Sequence, residues 1–154
     1  MYKKSIRTRS FFRATKINFK QFLEKYFKSI HALNNFEIDE FAKKCKIKNW
    51  RGVFMRDELK GKPLKHEVFI MNTDVSKNNG THWVGIFIGE EKYYFDSFGF
   101  SPPLEVIKYI GKPIKYNTFQ LQGYDDVICG HFSLYVLWRL SNGDDFENIL
   151  FDII

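Results

Sequence analysis

Apolar positions recur at helical spacing in several stretches of the chain. Phe19, Phe22, Leu23, Tyr26, Phe27 and Ile30 follow Asn18, a residue suited to capping a first turn, and predict a helix over about 19–32. Ile38, Phe41, Ala42 and Cys45 share one face of a second helix over about 38–46, which would make Cys45 a core cysteine. In SPPLEVIKYIG, Leu104, Ile107 and Ile110 lie on one face between a Ser-Pro-Pro start and a stop at Gly111. From 129 to 140, Phe132, Leu134, Tyr135, Val136, Leu137, Trp138 and Leu140 run nearly all round the helix, the pattern of a buried central one.

Other apolar runs read as strands. HEVFIMNTD is a buried strand, and TDVSKNNG after it is a polar turn cluster ending in Gly80. WVGIFIG and KYYFDSF are rich in β-branched and aromatic residues and are separated only by Glu90 and Glu91, which predicts a hairpin. A short extended piece is expected around Ile114 to Phe119, and FENILFDII is expected to close the chain as a helix or strand. NWRGVFMRDELKGKP, residues 49–63, mixes apolar residues, charges and two glycines, and reads as an irregular surface strip, a candidate substrate-facing loop.

At 154 residues the chain is expected to be a single domain, 1–154, able to bury roughly 70% of its unfolded surface. Its 17 Phe and 44% hydrophobic content exclude a disordered chain. Two cysteines without a CxxC pair suggest neither a disulfide framework nor a zinc ribbon, and fit an unsecreted, reducing location. No apolar run approaches the roughly 18 residues of a membrane span, so no membrane association is expected. The net charge of +6 is polarised. Residues 1–20 hold Lys3, Lys4, Arg7, Arg9, Arg13, Lys16 and Lys20 without an acid, so 1–17 is a candidate basic arm for non-specific DNA contact, although a solvated face is the commoner meaning of such a run.

The chemistry centres on QGYDDVICGHF. Cys129 opens the buried helix, where the positive end of the helix dipole favours a thiolate, and Gly130 lets the backbone come close. Taken alone, a cysteine in an apolar helix is more often a small core hydrophobe. His82, at the start of a predicted strand, can accept the thiol proton, and Asp96, near the end of the partner strand, can orient the imidazole. Gln122, seven positions before Cys129, can fold back to donate to an oxyanion beside the Cys129 N–H; Gln120 competes for that role. A zinc site from His66, His82, Cys129 and His131 is the rival chemistry, but residues two apart on a helix do not face together. His131 itself reads as a surface residue.

GTHWVGIF, YYFDSFGF and LQGYDDVICGHF, in that order, resemble the adenovirus-type (adenain-like) cysteine endopeptidases, a group that includes the SUMO proteases. The resemblance covers roughly residues 66–140. It implies an α+β, permuted papain-like fold in which a mixed central sheet packs on the helix led by the catalytic cysteine. It further implies His82 as general base, Asp96 as its acid, Cys129 as nucleophile, Gln122 as oxyanion donor, and Trp83 and Gly130 as substrate-binding positions. The step from Gln122 to Cys129 resembles the viral branch, and Asp96 resembles compact relatives in virophages and Polinton-like elements. The expected activity is cleavage of capsid or core precursors beside glycine during virion maturation, in the virion or an intracellular virus factory, by a monomer that needs no metal or other cofactor. DNA is a candidate activator. The alternatives are a protease for ubiquitin-like modifiers and a non-catalytic nucleic-acid-binding or assembly module.

Overall fold

The computed structural model describes residues 17–123 and 125–154; apart from Ile17, the expected basic arm lies outside the described residues. The Asn18 side chain accepts from the Gln21 N–H and Gln21 answers the Asn18 N–H, a capping box that starts helix α1, Phe19–Tyr26. This helix is shorter than the predicted 19–32. Phe27 turns extended, and its ring stacks on Phe41 at 4.9 Å instead of continuing the helix face. Helix α2, Asn35–Lys44, starts earlier than predicted, because Asn34 and Glu37 form a second capping box. Its core residues are Ile38 and Ala42; Cys45 is the half-buried C-cap, not a core residue. Asn34→Ala is expected to destabilise the protein by about 1 kcal/mol, read as a lower urea midpoint at unchanged slope.

Residues predicted as an irregular strip instead supply strand β1, Trp50–Met55, followed by a 3-10 turn at Arg56–Glu58. Strands β2 (Glu67–Asn72), β3 (Trp83–Ile88), β4 (Lys92–Phe95) and β5 (Lys115–Tyr116) complete a five-stranded mixed sheet in the order β1-β2-β3-β4-β5. β1 and β5 are parallel to their neighbours, while β2, β3 and β4 pair antiparallel. Helix α3, Leu104–Ile110, lies between β4 and β5 in the chain; α4, Cys129–Ser141, and α5, Phe146–Ile153, end it, which makes the closing segment a helix.

Alternation along the strands sorts the core into two layers. Val68, Ile70 and Phe95 face α1, α2, α4 and α5, whereas Phe69, Met71, Val84, Ile86 and Tyr94 face Val106 and Ile110 of α3. All six residues of β2 are buried, as a strand covered on both faces requires. Gly85 is the point of closest approach. A Cβ there would meet the Leu137 side chain at 3.2 Å, so the missing side chain lets α4 sit directly on β3. Within α4, Arg139 is fully buried and paired with Asp144 and Asp152, which anchors the C-terminal end of the helix that carries Cys129 at its start.

Candidate active site

Cys129 is the first residue of α4, and Ile128 before it contributes no side-chain cap, so the first turn's N–H groups remain open towards the thiol. Burial pushes the thiol pKa up. The hydrogen bond with His82, the N–H groups of Trp83 and Gly130 and the His82 charge more than offset it, and the thiol titrates below its ordinary range. The Cys45 thiol is pushed the other way, chiefly by burial.

His82 stands immediately before β3 and is only 7% exposed. Its Nε2 lies 2.6 Å from Asp96 Oδ1, which leaves Nδ1 as the ring nitrogen available to the thiol. The Phe98 ring stacks on the imidazole at 4.1 Å and 11°. Burial opposes a charge on His82, but the hydrogen bonds to Asp96 and Cys129 and their charges outweigh it and raise the pKa to about 9. The opposite shifts on the two partners both favour the thiolate–imidazolium form of the pair over the neutral one.

Asp96 is held from three sides. Its Oδ1 also accepts the Phe98 N–H at 2.8 Å, its own N–H donates to Asn117 Oδ1 at 3.1 Å, and Asn117 Nδ2 donates to the Asp96 carbonyl at 2.6 Å. Asn117 is 2% exposed and escaped the sequence reading, which treated its segment only as an extended piece.

Gln122 lines the same cleft as Cys129, a cavity of about 670 Å³. Its Oε1 accepts the Ser97 hydroxyl at 2.5 Å and its Nε2 donates to the Asp126 carbonyl at 2.7 Å, which leaves the second amide hydrogen for another acceptor. The Leu121 and Gln122 N–H groups both donate to the Ser97 carbonyl, at 2.8 and 3.0 Å. Gly99 permits this approach: at φ +80, a Cβ there would lie 2.6 Å from the Phe119 backbone. Gln120, the competitor, is exposed and donates to the Gln122 carbonyl. Ser97→Ala is expected to leave the rate of Cys129 alkylation unchanged, because it frees the Gln122 amide and not the thiol–imidazole pair.

Trp83 lines the cleft, and its indole N–H donates to the Leu33 carbonyl at 2.9 Å. Gly130 is buried beneath Leu33, Ile38 and Trp83, so its place is in the helix packing, with its N–H towards the thiol. His131 is a correction. It is fully buried, with its ring edge-on to Phe27 at 4.6 Å and neither ring nitrogen hydrogen-bonded among the described residues. Every helix residue from Gly130 to Leu137 is buried, so the His131 ring does not reach solvent. His66 is exposed, and among the described residues no three His, Cys, Asp or Glu side chains gather as a metal site would.

A cysteine at a helix N-terminus, an imidazole and carboxylate on adjoining strand ends and a mixed five-stranded sheet define a thiol-centred α+β domain. Its fold is similar to that of the ASFV pS273R protease. Against the selenomethionine crystal form the TM-score is 0.54 at 22% identity, covering 77% of this chain and 61% of that one. Against a second crystal structure of the same protease the TM-score is 0.49 at 19% identity, covering 77% and 60%. The chain thus spans about three fifths of the length of that protease. No family model and no curated protein sequence matches it.

Proposed function

We propose that the protein is a cysteine endopeptidase. The observation that carries this reading is the His82 ring held between the Asp96 carboxylate, at 2.6 Å, and the Cys129 thiol at the start of α4. The Cys129 thiolate attacks the peptide carbonyl carbon, a C–S bond forms, and the oxyanion takes hydrogen bonds from the Cys129 N–H and the free amide hydrogen of Gln122. The C–N bond then breaks as His82 gives its proton to the leaving amine. Water, deprotonated by the same imidazole, hydrolyses the thioester and restores the thiolate. Asp96 keeps the ring in the orientation that presents Nδ1 to sulfur throughout.

The finer reading is an adenovirus-type enzyme with the permuted papain-like order, supported by the helix of Cys129 coming after the strand ends that carry His82 and Asp96. Its substrates on this reading are capsid or core precursors cut beside glycine, with DNA as a candidate activator through residues 1–17. Incubation of the full chain with such precursors, and separately with ubiquitin-like conjugates, tests it: cleavage of the former that disappears in Cys129→Ala supports it. Cleavage of the conjugates alone moves the protein to the modifier-protease branch, and undiminished function in Cys129→Ser favours a binding module.

A further inference from the structure

A second cavity, of about 400 Å³, is lined by His82 and Asp96 but not by Cys129. The two cavities share Thr81, His82 and Phe98 as a common wall. Aromatic and aliphatic groups make up most of its surface, with Tyr94, Phe98, Phe100 and Pro103 among its walls and Asp96 its one carboxylate. Phe100 is 58% exposed, although its ring meets Phe98 edge-on at 6.5 Å, so a large apolar group faces solvent at the mouth of a concave site. Arg56 also borders the cavity, its Nε 3.1 Å from Glu105 Oε2 yet without a hydrogen bond among the described residues.

We propose that this cavity receives an apolar side chain of the substrate on the leaving-group side of the scissile bond, with Arg56 favouring an acidic residue beside it. The inference rests on the protease reading and adds a substrate preference to it. The chemistry sets the direction of the chain. The leaving nitrogen must take its proton from His82, so it lies within hydrogen-bond reach of the imidazole, and the residues beyond it depart across the ring and away from sulfur. An extended strand advances about 3.3 Å per residue, so the second or third residue after the cut lies over Phe98 and Phe100. A side chain pointing into the cavity there leaves water for apolar walls, and a neighbouring carboxylate comes within reach of the guanidinium. The recognised class is a large aliphatic or aromatic residue two or three positions after the cut.

Digestion of a proteome-derived peptide library by the full-length enzyme, with mass-spectrometric reading of both sides of each cut, tests this. Wild type is expected to enrich large apolar residues at one of those positions about tenfold over chance. Phe100→Ala should flatten that preference and Arg56→Gln the acidic one, with the profile before the cut as the internal standard. Cutting with the same downstream profile in wild type and both variants would overturn the subsite while leaving the protease reading intact. A library left wholly uncut by wild type would remove the protease reading, and the subsite with it.

Discussion

His82→Ala is expected to lower peptide hydrolysis about 10²–10⁴-fold. On the proposed mechanism two functions vanish together: the partner that favours the charged form of the Cys129 thiol and the acid that protonates the leaving amine. The wild-type pH profile carries the same information. His82 has a pKa raised to about 9, so the imidazolium is present through neutral pH and is lost as pH rises through about 9. Cys129 titrates below its ordinary range, so activity should appear on the acid side before an ordinary thiol would ionise. A rate that climbs at a pH lower than an ordinary thiol's ionisation and falls above about pH 9 is therefore expected, and the alkaline fall should be absent from the residual activity of His82→Ala.

A second large effect is expected on stability, at His131. The ring is fully enclosed and neither of its nitrogens is hydrogen-bonded among the described residues, so one of them must carry a hydrogen that no described group accepts. Burial, reinforced by the nearby His31 and only partly countered by Glu37, pushes its pKa down to about 4. In the unfolded chain the imidazole titrates near 6.5, so below that pH the unfolded state binds a proton that the folded state refuses. Stability is fully present above about pH 6.5 and falls as the pH drops towards 4, by about 3 kcal/mol over the window. His131→Leu replaces the ring by an apolar side chain of similar size. It should raise stability at pH 7 by about 1–3 kcal/mol and remove most of the acid-side loss, measured by urea unfolding between pH 4 and 7. Equal pH slopes in the two proteins would show that this ring is not what titrates.

Much of the framework was legible because burial imposes a period. The hairpin of β3 and β4 and the helix of Cys129 follow directly from their apolar runs, and the fold brings His82, Gln122 and Cys129 to one cleft, with Asp96 hydrogen-bonded to His82. β1 was lost for a physical reason. It is an edge strand with residues only partly buried, its pairing with β2 shifts between Trp50 and Gly52, and an exposed Arg51 interrupts the alternation. The end of α1 was misplaced because Phe27 has helical spacing in the sequence but is claimed by Phe41 in space. His131 was misread from its polarity alone, although the helix around it is apolar on almost every side. Ser97, Phe98 and Asn117 carried no spacing signal at all. Their roles come from contacts 25, 16 and 21 residues away, to Gln122, His82 and Asp96, which only the closed sheet brings together.

The central claim is that Cys129 is held as a reactive thiolate by His82, and the rates at which the two cysteines react with iodoacetamide test it most directly. At pH 7, Cys129 is expected to be alkylated at least about tenfold faster than Cys45, and the advantage should collapse in His82→Ala. Equal rates at the two cysteines, or a Cys129 rate indifferent to His82, would contradict the account.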